Sequence, residues 1–287
     1  MVLDRVGVLT DEVSGDFSAA LDWAVGKGLG WVEVRTVDGK NAADLDDAEL
    51  GRVRREVDRR GLRVSALASP LFKCALDPSR PVEKGDLFGS REEPLEAHFA
   101  RLPRVAAIAR ALGTDKVRVF SFWREREPRK HLGEVVAHLK RASALAEREG
   151  VRLLLENEVT CNGGYADEVA NIVRGADSPA LRVLWDPGNE QYGGRVAYPE
   201  GYVLIRGLFE HVHLKDCARD AEGRPSCVPI GRGETPLEAQ LRALERDGYR
   251  GLYTIETHYT PPGGTRMQGT EESLEGLKTM LSEAKLA

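Results

Sequence analysis

Hydrophobic and polar positions along the chain follow two alternating patterns. Short apolar runs rich in β-branched residues each give way to a longer stretch whose apolar residues recur at helical spacing. The runs predict eight strands: Val6–Thr10, Trp31–Arg35, Arg63–Leu67, Lys116–Phe120, Arg152–Glu156, Leu181–Trp185, Glu210–His213 and Leu252–Glu256. End chemistry marks the helices between them. Asp46 precedes an amphipathic run to Arg60 that Gly61 ends, and Pro128 opens a segment to Glu149 that Gly150 ends. Thr235-Pro236-Leu237-Glu238 predicts an N-cap with proline at the first helical position, and Thr270-Glu271-Glu272 an N-cap followed by acids. Pro103 falls inside the third predicted helix and predicts a kink or a division into two shorter helices.

Repeated βα units with no break in composition predict an α/β fold, a single (β/α)8 TIM barrel over residues 1–287, with a two-domain α/β chain as the competing arrangement. The longest irregular stretches, Ser69–Glu93 and Asp216–Gly233, follow the third and seventh strands. In a barrel both lie on the face formed by the C-terminal strand ends, where active sites are built.

Composition narrows the function. At 287 residues and 41% hydrophobic, the chain can bury a substantial core. Lys and Arg number 41 against 46 Asp and Glu, a net charge of -5, and the Arg residues are interleaved with acids. That distribution argues against a nucleic-acid partner, which needs a concentrated basic surface. Charges interrupt every apolar run, and two precede the first, so neither a signal peptide nor a membrane span is expected. Cys74, Cys161, Cys217 and Cys227 have no Cys-x-x-Cys spacing and read as reduced thiols of a cytoplasmic enzyme. Nothing in the composition bears on a homo-oligomer, which stays compatible with the chain.

The polar residues that finish the strands carry the chemistry. Strand five ends Leu-Leu-Glu156-Asn-Glu158, strand six Leu-Trp-Asp186, strand seven His211-Val-His213-Leu-Lys215, and strand eight Thr-Ile-Glu256-Thr-His258. Three carboxylates brought together in a barrel mouth need a compensating cation, and with one imidazole they form a set suited to a divalent ion. Oxygen-dominated ligation favours Mn²⁺ or Mg²⁺, with Co²⁺ or Zn²⁺ admissible. His211 shares a strand face with His213 but lies one layer deeper, as a packing residue or an orienter of a ligand.

Glu156 within Leu-Leu-Glu-Asn, Asp186 within Trp-Asp-Pro-Gly-Asn, His213 within His-Val-His-Leu-Lys-Asp and Glu256 within Thr-Ile-Glu resemble the xylose isomerase-like TIM-barrel superfamily. More narrowly, the chain is similar to its sugar phosphate isomerase/epimerase branch, whose first two strands Gly7-Val-Leu-Thr-Asp-Glu12 and Trp31-Val-Glu-Val-Arg35 also resemble. The resemblance implies that Glu156, Asp186, His213 and Glu256 hold one divalent metal, with Glu156 and Glu256 as paired acid/base residues. It further implies proton transfer on a small carbohydrate through a metal-stabilised enediolate. Sugar 3-epimerases of this superfamily carry a His three residues after the strand-six Asp; here that residue is Asn189, which can donate to a substrate hydroxyl but carries no proton at neutral pH. Lys215, Glu158 and His211 are further substrate-binding candidates, as is Arg224, with Arg232, in the loop after strand seven. That loop is expected to close over substrate. Glu33 and Arg35, at the end of strand two, are expected to form an ion pair lining the mouth, with binding of substrate hydroxyls as the alternative.

Two other reactions fit the same resemblance. A dehydratase acting on a cyclic polyol ketone or a dehydroshikimate-like substrate would use the same enediolate and then expel a β-hydroxyl. A nuclease resembling endonuclease IV would need a three-metal site with additional histidines. The chain has only six His, and the third and fourth strand ends offer Ser69 and Ser121, so that site is not expected.

Overall fold

A computed structural model describes residues 1–286. In chain order the barrel strands are β1 Val6–Leu9, β2 Trp31–Val34, β3 Arg63–Leu71, β4 Lys116–Val119, β5 Arg152–Glu156, β6 Leu181–Trp185, β7 Phe209–Leu214 and β8 Leu252–Ile255. All pair in parallel with their sequence neighbours, and β8 closes onto β1 with Val6 opposite Tyr253 and Val8 opposite Ile255. The principal helices are α1 Phe17–Gly26, α2 Asp47–Arg59, α3 Leu95–Ala111, α4 Leu132–Glu149, α5 Ala166–Ala176, α6 Pro187–Tyr192, α7 Leu237–Arg246 and α8 Arg266–Glu283. This is the (β/α)8 barrel that the alternating pattern predicts. Among the described residues, no helix is long and apolar enough to cross a membrane.

Local chemistry explains several boundaries. Asp46 accepts from the Glu49 amide at 2.8 Å while Glu49 accepts from the Asp46 amide at 2.8 Å, a reciprocal cap that fixes the start of α2. Gly150 takes a left-handed conformation, φ 68°, and ends α4. Other expectations are corrected. Helix α8 is capped by Thr265, paired with Gln268, whereas Thr270 is buried inside the helix and donates to the Glu12 carbonyl. Thr235 does not cap α7; its hydroxyl accepts from the Cys217 amide instead. Pro103 sits within one continuous α3. Ser69 belongs to a β3 that continues to Leu71, its hydroxyl bonded to the Arg118 carbonyl at 2.6 Å. Within the predicted irregular stretch after β7, Asp216–Arg219 and Pro225–Val228 pair as an antiparallel hairpin.

Alternation along the strands sets the barrel interior. Side chains two residues apart share a face, so Leu154 and Glu156 point the same way, as do Leu184 and Asp186, His211 and His213, and Thr254 and Glu256. Leu154 and Leu184 join Ala66 in a small apolar cluster separate from the main core. One layer further along, the inward positions are Glu156, Asp186, His213 and Glu256. The fold thus converts four separated sequence positions into one ring.

Candidate metal centre and cleft

Glu156, Asp186, His213 and Glu256 are all buried, and each offers a ligand atom within 4.8 Å of the others. His213 turns Nδ1 into the cluster, 3.2 Å from Glu256 Oε2 and 3.4 Å from Glu156 Oε1. Its Nε2 faces Glu33, 3.2 Å from either carboxylate oxygen. Glu33 also meets His211 Nε2 at 2.8 Å, so one carboxylate on β2 positions two imidazoles from β7. A carboxylate accepting from the far nitrogen fixes the ring orientation and leaves the near nitrogen free to ligate. Asp186 is fixed through its backbone: Asn157 Oδ1 accepts from its amide and Asn157 Nδ2 donates to its carbonyl, both at 2.8 Å. Its Oδ1 caps α6 by accepting from the Asn189 amide at 2.9 Å.

Three cations and a further imidazole surround the carboxylates. Lys215 Nζ lies 2.9 Å from Asp186 Oδ2 and 3.0 Å from Glu256 Oε2, and it donates to Asn189 Oδ1 at 3.0 Å. Arg35 reaches Asp11 at 2.8 Å, Glu12 at 2.7 Å and Glu256 at 2.9 Å. Arg118, on β4, lies 3.3 Å from Glu156 Oε2 and 3.7 Å from Glu256 Oε1. His258, just beyond β8, lies 3.5 Å from Glu256 Oε1. Burial alone would raise the Glu256 carboxyl, but Lys215, His213 and His258 outweigh it and hold it well below the usual carboxylate range. The same contest, won chiefly by Arg118, lowers Glu156. Burial dominates at Asp186 and raises it. Burial would lower His213, yet Glu33 and Glu256 raise it well above an ordinary imidazole.

These residues fit a divalent ion. The donor set has three carboxylates and one imidazole nitrogen, and Asp186 Oδ2 is fully buried without a well-formed hydrogen bond despite the nearby Lys215.

A cleft of about 350 Å³ opens beside the cluster, lined among others by Lys73, Phe88, Glu158, Asn189, Lys215 and His258. It brings together three of the expected substrate contacts, Glu158, Asn189 and Lys215. Two others lie elsewhere. His211 is completely buried, held by Glu33 and by Thr254 Oγ1 at 3.0 Å, and so belongs with the positioning residues. Arg224 has its side chain 74% exposed and paired with Asp220 and Glu222 of its own turn, because charges two and four residues apart meet across so tight a reversal. Glu33 and Arg35 do not pair with each other, since each finds closer partners across the barrel.

The segment Asp216–Gly233 is anchored. Asp216 accepts from the amides of Cys217, Gly231, Gly233 and Thr235 at 2.9–3.0 Å. Sequence reasoning missed Arg118 and Lys73. For Arg118 a signal existed: in Lys116-Val-Arg-Val-Phe120, alternation puts a guanidinium on the face of an inward strand position.

A family model described as xylose isomerase-like TIM barrel matches residues 21–280. The chain belongs to that family. No curated protein matches it. Among solved structures, it is similar to the IolI protein with a bound zinc atom, with a TM-score of 0.77, 17% identity, and 98% and 99% of the two chains covered. It is also similar to a xylose isomerase-like TIM barrel protein from Mycobacterium smegmatis in complex with magnesium, with a TM-score of 0.69, 18% identity, and 94% and 89% covered. A third is D-psicose 3-epimerase from Clostridium cellulolyticum H10 with D-tagatose, with a TM-score of 0.68, 15% identity, and 98% and 96% covered. At these identities the likenesses speak for the fold.

Proposed function

We propose that this family member is a divalent-metal-dependent isomerase or epimerase of small sugars or sugar phosphates, with Mn²⁺ or Mg²⁺ at the cluster. One observation carries the reading: Glu156, Asp186, His213 and Glu256 converge on one point at the C-terminal strand ends, beside a polar cleft. Glu156, Asp186, His213 and Glu256 would hold the ion, which supplies the Lewis acidity that weakens a C–H bond next to a substrate carbonyl. Glu156 and Glu256 stand three strands apart around the barrel. One removes the proton from the carbon and the other returns it, to the opposite face in an epimerase or to the neighbouring carbon in an isomerase. The neighbouring cations lower both carboxyls, so the carboxylate that removes the proton is ionised at neutral pH, and the one that returns a proton must first take it up from solvent. Lys215 and Asn189 orient substrate oxygens, and Glu33 holds His213 in register.

The test has two parts. Mn²⁺ titrated into metal-free protein should bind at one site, and His213→Ala should abolish it. With a ketose panel in deuterated buffer, Glu156→Gln and Glu256→Gln should each lose about a hundredfold or more in turnover, and one variant should still exchange the substrate's α-proton. Near wild-type turnover in both variants refutes the paired carboxylates. Growth of enone absorbance in place of an isomeric sugar assigns the same site to dehydration.

A further inference from the structure

Lys73 lies two residues past β3, and its side chain is only 1% exposed. Its ammonium stands 4.5 Å from the ring centroids of Phe88 and Phe120 and 5.7 Å from that of Trp123. The nearest counter-charge, Glu158 Oε2, is 3.8 Å away, beyond hydrogen-bond reach. The other oxygen of that carboxylate is committed to its own turn, accepting from the Thr160 amide at 3.2 Å and hydroxyl at 3.0 Å. Aromatic faces offset part of the cost of burying a cation, yet they accept no conventional hydrogen bond. Among the described residues, none accepts a hydrogen bond from Lys73 Nζ, and the side chain lines the cleft. A second cation shares the same rings: the Arg118 guanidinium lies 4.9 Å from Phe120 and 5.2 Å from Phe88. Its contacts with the Ala68 and Ser69 carbonyls are long, 3.4 and 3.5 Å.

We propose that Lys73 forms a subsite for an anionic group on the substrate, a carboxylate or a phosphate, and thereby selects acidic sugars over neutral ketoses. This rests on the reading of the neighbouring cluster as a centre acting on small polyhydroxy ketones. A neutral hydroxyl would take one donor and leave only Glu158, 3.8 Å away, to balance the ammonium, whereas an anion takes several donors at once. The rival use is a grip by Lys73 and Glu158 together on a neutral hydroxyl.

Three ligands that differ only at C6 separate these: D-fructose, D-fructuronate and D-fructose 6-phosphate, titrated calorimetrically into Mn²⁺-loaded wild type, Lys73→Met and Glu158→Gln. Methionine keeps the stem and packs against the aromatic cage, so the variant should fold, as a circular dichroism melt will verify. In the wild type, an anionic ligand should bind about tenfold or more tighter than D-fructose. Lys73→Met should erase that advantage, and Glu158→Gln should enlarge it by removing a repelling charge. Whichever anion gains more identifies carboxylate or phosphate recognition. Equal binding of all three ligands, no binding of either anion, or an anionic advantage that survives Lys73→Met overturns the subsite. So does loss of D-fructose binding in both variants, the mark of the hydroxyl grip. Mn²⁺ uptake measured without sugar reports separately on the metal centre.

Discussion

Glu33 contributes to the site without being one of the converging ligands: it accepts from both His211 and His213 at the base of the cluster. Glu33→Gln keeps an oxygen acceptor but loses the charge that secures His213. Its Mn²⁺ affinity should fall about 10- to 100-fold by calorimetry, with the fold retained; unchanged affinity would show that His213 needs no such partner. Glu190, in α6, gives a pH dependence of its own. It is buried, accepts from the Ala166 amide at 2.8 Å, and burial pushes its carboxyl from 4.5 up to about 7. Between those values the folded chain holds a proton that the unfolded chain has released. This contribution to stability is therefore full below about 4.5, declines as pH rises to about 7, and is then constant. Glu190→Gln should melt like the wild type near pH 5 and be more stable at pH 8, by up to about 3 kcal/mol. Parallel melting curves for both proteins across that range would refute it.

Among elements, the segment after β7 depends on two contacts. Asp216 collects four backbone amides at its base, and helix α8 lies so close that a Cβ on Gly276 would stand only 1.9 Å from the Ile230 carbonyl oxygen. These two contacts hold the base of the segment, whereas residues 218–229, the hairpin beyond it, are held by neither. Asp216→Ala should cost about 2–4 kcal/mol by leaving buried donors unpaired and should expose the segment to limited proteolysis. Gly276→Ala should give a similar protease pattern by pushing α8 outward. Resistance of both variants to protease would show that the segment holds itself. The misplaced caps at Thr235 and Thr270 belong to this scale as well. A threonine before a helical run has the chemistry of a cap, but Thr235 is drawn to Cys217 and Thr270 to Glu12, partners that only packing supplies.

For the whole molecule, a metal that binds only the folded barrel adds its binding free energy to stability. At a free concentration of Mn²⁺ a hundred times its dissociation constant, the gain should be about 2.7 kcal/mol, visible as a rise in Tm of several degrees that a chelator reverses. A chelator-insensitive Tm would mean that Lys215, Arg35 and Arg118 already balance the carboxylates and that no ion is held.

The barrel itself was legible in the chain because parallel strands buried on both faces and amphipathic helices write two different periods, which local residue types reveal without any knowledge of contacts. The same logic exposed Glu156, Asp186, His213 and Glu256, since polar residues recurring at equivalent strand ends stand out against an apolar pattern. Partnership was not legible. Arg35 meets Glu256 across 221 residues and His213 meets Glu33 across 180, pairings fixed by barrel closure and strand register. Arg224 lost its expected role for the converse reason, that nearby charges in its own turn satisfied it first. Sequence alone determined that Glu156, Asp186, His213 and Glu256 end their strands at the barrel mouth; the tertiary structure decided which charges meet them there, because electrostatic pairing depends on distances that only the closed barrel sets.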